Sequence, residues 1–170
     1  MPHEEKPSPG AVVITGASTG IGKTTALHLD SLGFRVFAGV RKDSDGEHLK
    51  RESSGRITPL RIDVTDAPTI TSAAGTVTKI VDGAGLAGLV NNAGIVVAGP
   101  LEFLPLDKIR QQFEVNVFGQ LAVTQAFLTL LRKARGRIVN MGSISGRVSN
   151  PFIATPIWEK SIAASDDLLS

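Results

Sequence analysis

Short apolar runs recur along the chain and are separated by longer stretches of mixed polarity. The first run, AVVITG at 11–16, ends in glycine and is typical of a strand that is buried on both faces. Further runs of this kind lie at 34–40, 57–64, 86–90 and 136–142. The pattern therefore predicts five short strands.

Apolar residues at helical spacing fill several of the intervening stretches. The segment 20–32 places Ile21, Leu29 and Leu32 on one face, which predicts a helix directly after the first strand. The segment 67–81 predicts a second helix before the fourth strand. In both segments the apolar face is expected to pack against the sheet.

The longest predicted helix runs from 106 to 134 and ends before Gly136. Its apolar stripe consists of Leu106, Ile109, Phe113, Val117, Leu121, Phe127 and Leu131. A polar stretch at 43–55 leaves room for one more short helix. Strands and helices are thus predicted to alternate along the chain.

This alternation predicts an α/β fold. Parallel strands joined by right-handed crossovers put helices on both faces of a doubly wound sheet. We expect an incomplete Rossmann-type sheet of about five parallel strands, whose ligands bind at the carboxyl ends of the strands. The domain is predicted at 11–154, after a loose polar tail at 1–10 and before a separate C-terminal segment at 155–170.

Composition and charge narrow the classes of function. Of the 170 residues, 42% are hydrophobic and 20% are charged, which is ordinary for a globular domain. The net charge of +2 is too balanced to favour nucleic acid or an anionic membrane as the partner, and an aromatic content of 5% disfavours base stacking. The chain has no cysteine and its three histidines lack ligand spacing, so we expect no metal site.

The sequence also bears on where the protein works. The opening MPHEEKPSPG is polar and lacks the apolar core of a signal peptide. No apolar run approaches the roughly 20 residues of a membrane helix. We therefore predict a cytoplasmic location and no membrane span.

A glycine-rich turn joins the first predicted strand to the first helix. In TGASTGIG, the residues Gly16, Gly20 and Gly22 allow the backbone to approach a phosphate closely. The amino terminus of the following helix offers free N–H groups and the positive end of its dipole to that anion. The alternative is a turn whose glycines serve only the close packing of the helix.

The same stretch supports a second hypothesis, a P-loop. ASTGIGKT departs from the pattern GxxxxGK[ST] at Ala17, and it would use Lys23 for the phosphates and Thr24 for magnesium. Such a hydrolase needs an acidic residue after a wholly apolar strand. The nearest candidate, Asp63, follows a strand that Arg61 interrupts, so the P-loop is the less favoured hypothesis.

Five motifs together resemble the short-chain dehydrogenases and reductases, over about 11–153. They are TGASTGIG at 15–22, DV at 63–64, NNAG at 91–94, VNVFG at 115–119 and GSISG at 142–146, in the order and spacing of that family. The resemblance implies a site for NAD or NADP. The matching residues are Gly16, Ser18, Gly20 and Ile21 at the pyrophosphate, Asp63 and Val64 at the adenine, and Asn91, Ala93 and Gly94 after the fourth strand.

Arg41 bears on the choice between the two cofactors. It follows the second strand, where a NAD-binding protein of this type often keeps an acidic residue for the ribose hydroxyls, and FAGVRK has no such acid. A guanidinium can bind a 2′-phosphate with two hydrogen bonds, so the sequence favours NADP. The alternative is an ordinary exposed arginine.

The resemblance also implies two catalytic residues. Ser143 matches the serine that binds the substrate carbonyl, and Asn116 matches the asparagine that bends the long helix and holds a water for proton relay. The family's spacing puts its proton-carrying tyrosine at Pro156 and the accompanying lysine at Lys160. The chain contains no tyrosine, and a proline side chain carries no proton.

The segment that contains Lys160 has another interpretation. In the retinol and steroid dehydrogenase branch of the family, a phrase like TPIWEKSIAA opens the substrate-covering region, with a threonine that Thr155 would match. We infer that the segment with the tyrosine helix and a sixth strand is absent from the sequence at about 153–154. The segment is either deleted from the protein or missing from the sequence as given. An edge strand and an apolar helix face left uncovered in this way predict self-association.

These observations predict an oxidoreductase that depends on NAD(P) and moves hydride between the cofactor and an apolar alcohol or ketone. Because the tyrosine is absent, we expect slow or no turnover by the chain as written. The first alternative is a catalytically silent module that binds a nucleotide or another protein. The P-loop hydrolase is the second.

Overall fold

All five predicted strands are present in a computed structural model, which describes residues 9–143. The strands are β1 (Ala11–Ile14), β2 (Arg35–Val40), β3 (Ile57–Arg61), β4 (Gly88–Asn91) and β5 (Arg137–Asn140). Most of the predicted tail lies outside the described residues, as does the segment 155–170 with Thr155, Pro156 and Lys160.

The predicted helices are present as well, including the short one in the polar stretch. They are α1 (Gly20–Ser31), α2 (Asp43–Glu52), α3 (Ala67–Val81), α4 (Leu106–Phe113) and α5 (Gly119–Ala134). Helices α4 and α5 form the long helix that the sequence predicted, joined through a π-helical turn at Glu114–Phe118. A short 3-10 turn at Leu101–Phe103 precedes them.

The strands form one parallel sheet in the order β3-β2-β1-β4-β5. The chain runs outward from β1 to β3 and then crosses back to place β4 on the other side of β1. This reversal between β1 and β4 is the switch point at which sheets of this kind bind ligands. The predicted Rossmann-type fold is confirmed.

Two apolar layers hold the helices to the sheet, because successive residues of a strand point to opposite faces. On one face, Val13 and Phe37 pack in a buried cluster with Phe127 of α5. On the other face, Ile14 packs in a second cluster with Leu49 of α2. The sheet is therefore covered on both sides, as the apolar strand runs predicted.

The predicted apolar face of α1 is wrong for Ile21 and Leu32, whereas Leu29 packs against the second cluster. Ile21 and Leu32 are 65% and 56% exposed, whereas the buried residues of the helix are Gly22, Ala26 and Asp30. These three positions are four residues apart and form one face. Small side chains at Gly22 and Ala26 let the helix lie close to the sheet, and Ile21 and Leu32 remain exposed.

The predicted stripe of the long helix is correct only in its second half. Phe127 and Leu131 are buried, but Leu106 and Leu121 are 64% and 46% exposed. The buried face of the first half is polar and consists of Gln112, Asn116 and Gln120. A π-helical turn adds a residue to the helix and rotates the face that follows it, so one uninterrupted helical period could not describe both halves.

Length and apolar content rule out a bilayer crossing for every helix between residues 9 and 143.

Candidate functional site

A cavity of about 350 Å³ lies at the carboxyl ends of the strands, next to the reversal between β1 and β4. It is lined by the turn after β1, the ends of β2 and β3, and the loop after β4. Predicted cofactor residues on its wall are Gly16, Ser18, Ile21, Arg41, Asp63, Val64, Ala93 and Gly94. The fold thus brings together residues from four separate segments of the chain.

The three glycines of the first turn are required for different reasons. Gly16 has a φ of +64°, and a Cβ there would lie 2.8 Å from the Cα of Ala93. A Cβ on Gly22 would collide with the carbonyl oxygen of Gly16 and with Nδ2 of Asn92. Gly20 faces open space but has a φ of +55°, which residues with a side chain rarely adopt.

Helix α1 begins at this turn with its amino terminus uncompensated. Its N-cap residue Thr19 makes no side-chain capping bond, and the first turn contains no acidic residue. Ser18, Thr19 and Ile21 line the cavity. Because the free N–H groups and the positive end of the dipole meet the cavity there, this wall suits a phosphate or pyrophosphate.

Thr15 and Asn92 hold the two main loops of the cavity together, and neither was predicted. The buried Thr15 hydroxyl oxygen accepts from the backbone N–H groups of Asn92 at 3.1 Å and Ala93 at 3.0 Å. Nδ2 of Asn92 donates to the carbonyl oxygens of Thr15 and Gly16, both at 3.0 Å. Both residues stand inside the quoted motifs, but only the fold shows that they face each other.

Asp63 and Arg41 supply charged groups to the cavity wall at the ends of β3 and β2. Oδ1 of Asp63 accepts from the N–H of Thr65 at 3.0 Å and from its hydroxyl at 2.7 Å. These bonds, and next the positive charge of Arg41, hold the pKa of Asp63 below its ordinary value. The wall therefore presents an ionised carboxylate beside a guanidinium.

Two of the predicted cofactor residues do not line the cavity. Gly20 lies in the turn without being part of the wall, and Asn91 is buried beneath it. Nδ2 of Asn91 donates to Oγ1 of Thr124 at 3.0 Å and to Oδ1 of Asn140 at 2.9 Å, which ties β4 to α5 and β5. Oδ1 of Asn91 is buried without a hydrogen-bond partner among residues 9–143. Cofactor contact by these two residues stays a prediction.

The two predicted catalytic residues lie on different elements. Asn116 is buried in the π-helical turn, and its side chain hydrogen-bonds the backbone of Ile95, which lines the cavity. Ser143 is exposed after β5, at the end of the described chain. Their catalytic roles stay predictions.

The P-loop alternative is not supported by the positions of its residues. Nζ of Lys23 lies 2.7 Å from Oε1 of Glu52 on α2, and Lys23 does not line the cavity. The hydroxyl of Thr24 donates to the carbonyl of Gly20 within its own helix, at 3.1 Å. The lysine and the threonine that would bind phosphate and magnesium are thus engaged elsewhere.

A doubly wound parallel sheet with a polar, glycine-bounded cavity at its switch point defines the chain as a Rossmann-type protein. Within that class, a family model described as short chain dehydrogenase matches residues 10–155. The chain belongs to the short-chain dehydrogenase family.

Two curated relatives place the chain in the retinol and steroid dehydrogenase branch. Retinol dehydrogenase 5 of Homo sapiens is 42% identical over 139 residues, which cover 81% of this chain and 44% of the relative. Estradiol 17-beta-dehydrogenase 2 of Mus musculus is 43% identical over 153 residues, covering 87% of this chain and 39% of the relative. The chain therefore spans less than half of the length of these relatives.

A solved structure agrees with the fold. The crystal structure of a short-chain type dehydrogenase/reductase from Mycobacterium marinum has a TM-score of 0.84 and 28% sequence identity with this chain. The alignment covers 92% of this chain and 65% of that structure. The similarity extends over nearly the whole chain.

Proposed function

We propose that the chain binds NADP in the cavity at the switch point and supplies the nucleotide-binding part of an oxidoreductase that acts on an apolar alcohol or ketone. One observation carries this proposal. The amino terminus of α1, which has no side-chain cap and no acidic residue in its first turn, borders the same cavity as Arg41 and Asp63. A dinucleotide with several phosphates and an adenine matches these groups in charge and in hydrogen bonding.

Each wall of the cavity suits one part of that molecule. Gly16, Ser18 and Ile21, with the amino terminus of α1, would hold the pyrophosphate, because the turn leaves room for it and the dipole favours it. The carboxylate of Asp63 would accept from the adenine amino group, next to Val64. Gly94, on the wall formed by the loop after β4, would lie beside a ribose.

Arg41 is the reason to prefer NADP over NAD. Its side chain lines the cavity at the end of β2, where its charge already lowers the pKa of Asp63 after the two bonds from Thr65. A guanidinium in this position would pair with a 2′-phosphate. NAD lacks that phosphate and would gain nothing from the charge of Arg41.

When bound, NADP supplies the hydride, and the chain's own residues orient the reactants. Ser143 would donate a hydrogen bond to the substrate carbonyl from the end of β5. Asn116 would fix the cavity wall through Ile95. Because the 170 residues contain no tyrosine, the proton has no carrier of the family's kind, and we expect turnover to be slow or absent.

The substrate proposal draws support from the relatives named for retinol and estradiol, which are apolar alcohols. A catalytically silent NADP-binding module is the second candidate, and the absence of tyrosine favours it. Location in the cytoplasm and self-association also remain proposals.

The intact mass of the sample should first show that the chain has 170 residues. Titration of this chain with NADPH, monitored by the fluorescence of NADPH, then tests the proposal. We expect saturable binding of NADPH, weaker binding of NADH, and no thermal stabilisation by ATP with magnesium. Oxidation of retinol or estradiol at a rate normal for a dehydrogenase would disprove the predicted lack of turnover. Failure to bind either dinucleotide would disprove the proposed function.

A further inference from the structure

The sequence RKARGR at the end of α5 forms a cluster of exposed cations. Arg132, Lys133, Arg135 and Arg137 are all exposed. Within residues 9–143, the ion pairs are Lys23 with Glu52 and Arg56 with Asp30, so this cluster contributes to none of them. Four exposed cations so close together in the chain can attract an anion.

The cluster lies at the amino edge of the sheet, opposite the nucleotide cavity, because helix carboxyl ends and strand starts meet there. Arg35, exposed at the start of β2, extends it across the sheet and donates through Nη1 to the carbonyl of Ile80 at 3.4 Å. Lys133 reaches the turn after α3, where Nζ would lie 3.2 Å from a Cβ on Gly83. The exposed Asp82 is the acidic residue of that turn.

An apolar cleft of about 430 Å³ lies beside Arg35 and reaches Ala134 at the end of α5. Its wall contains Arg35 and otherwise small or aliphatic residues. Those other residues are Pro9, Gly10, Ala11, Val81, Ala84, Gly85, Ala87 and Ala134. A second, smaller cleft borders Arg132 and Arg135. Among residues 9–143, the amino edge thus combines cations that form no ion pair with apolar surface.

Compensation of helix dipoles explains only part of this face. Arg132 and Lys133 lie in the last turn of α5, where cations stabilise the carboxyl end of a helix. Arg35, which donates to the Ile80 carbonyl in the last turn of α3, and Arg135, the C-cap residue of α5, also lie at helix carboxyl ends. Arg137 starts β5 and has no such role. The net charge of +2 does not reveal this basic face, because it is a sum over all charged residues of the chain.

We propose that this basic face binds the surface of an anionic phospholipid bilayer. Lipid phosphates and carboxylates would pair with the guanidinium groups, and the glycerol region would meet the apolar cleft. A nucleic acid also offers phosphates, but single strands bind on aromatic platforms, and no aromatic residue from 9–143 lines the cleft. The nucleotide cavity would face away from the membrane and stay open to water.

Co-sedimentation of the full chain with vesicles tests this proposal independently of NADP binding. We expect binding to vesicles of phosphatidylcholine mixed with phosphatidylserine, little binding to phosphatidylcholine alone, and loss of binding as salt is raised. The double variant Arg135→Gln, Arg137→Gln should bind about 25-fold more weakly, at about fivefold for each charge removed. The matched control Arg61→Gln, Arg110→Gln removes two exposed arginines elsewhere and should bind like the unchanged chain.

Thermal melting of both double variants establishes that they are folded before their binding is compared. The proposal is overturned if the unchanged chain ignores phosphatidylserine at low salt, or if the two double variants lose binding equally. Binding to RNA or to polyglutamate without binding to vesicles would overturn it as well, in favour of a nucleic acid or an acidic protein. The salt dependence of vesicle binding by the unchanged chain tests the proposal even if a variant fails to fold.

Discussion

Asn116 holds the backbone of Ile95 through both of its amide atoms: Oδ1 accepts from the N–H at 2.8 Å, and Nδ2 donates to the carbonyl oxygen at 2.7 Å. One helical turn earlier, Gln112 accepts from the N–H of Val97. The loop after β4 forms no strand at these positions, so side chains of the long helix supply the hydrogen bonds that a neighbouring strand would give. This arrangement explains why the helix buries a polar face.

Asn116→Asp should destabilise the protein by about 1–3 kcal/mol. An aspartate still accepts from the Ile95 N–H but cannot donate to its carbonyl, and it adds a charge at a buried position. Urea denaturation measures the loss. Gln111→Glu makes the same chemical change at an exposed position of the same helix and should have little effect. Equal losses in the two variants would contradict the role given to Asn116.

Gly22→Ala should cost about 1–3 kcal/mol and weaken NADPH binding. The added methyl group would collide with the Gly16 carbonyl and the Asn92 side chain, so the glycine turn would have to shift. Gly75→Ala is the matched control, because a Cβ there meets nothing within 4 Å in the interior of α3. That control should gain about 0.5–1 kcal/mol from lower backbone entropy in the unfolded chain. Thermal melting measures the stability of both variants, and fluorescence titration measures their affinity for NADPH.

The sequence was informative wherever local chemistry decides the outcome. Buried strands and helix ends depend on neighbouring residues, and the sequence placed both correctly. Gly16 and Gly22 were expected to make room for a phosphate, and the structure shows that they also permit close packing of the turn. The helix faces were predicted poorly, because burial of Ala26 instead of Ile21 depends on how closely the helix approaches the sheet. Thr15 and Asn92 were missed because their contact joins segments far apart in the chain.

Arg41→Leu should lower the affinity for NADPH by about tenfold to a hundredfold and leave the affinity for NADH nearly unchanged. The reason is that a charged hydrogen-bonded pair with the 2′-phosphate contributes about 1.5–3 kcal/mol, whereas NADH offers no such group. Fluorescence titration with both dinucleotides measures the ratio. Arg61→Leu removes an exposed arginine that is not on the cavity wall and should leave both affinities as they are. An equal loss of affinity for NADPH and NADH in Arg41→Leu would contradict the assignment of NADP.

Asp30 should make the stability of the protein depend on pH in the acid range. Burial favours a raised pKa for this carboxyl group, but bonds from the N–H groups of Ser54 at 2.7 Å and Arg56 at 3.1 Å outweigh it and hold the pKa below its ordinary value. A lowered pKa in the folded state stabilises the protein above the unfolded value of 3.8, and this contribution disappears as the pH falls through the folded pKa.

Asp30→Asn should therefore be less stable than the unchanged chain at neutral pH, and its stability should decline less as the pH falls below about 4. Urea denaturation at a series of pH values measures both curves. Glu47→Gln, at an exposed position of α2, provides the control and should follow the unchanged chain. Parallel curves for Asp30→Asn and the unchanged chain would show that another carboxyl group governs the acid range.

Self-association should occur through the outer face of the long helix. Leu106, Phe118 and Leu121 are 64%, 55% and 46% exposed, and Phe118 and Leu121 are three residues apart and therefore adjacent on the helix surface. Clustered exposed apolar side chains of this size mark an interaction surface.

Sedimentation velocity of the unchanged chain at micromolar concentration should therefore show a dimer or a larger species. Leu121→Asp should shift the protein to monomers, because an interface cannot bury the new charge without a partner. Leu32→Asp places the same charge on an exposed leucine of another helix end and should not change the sedimentation. A monomeric unchanged chain, or an equal shift in both variants, would exclude this face as the site of association.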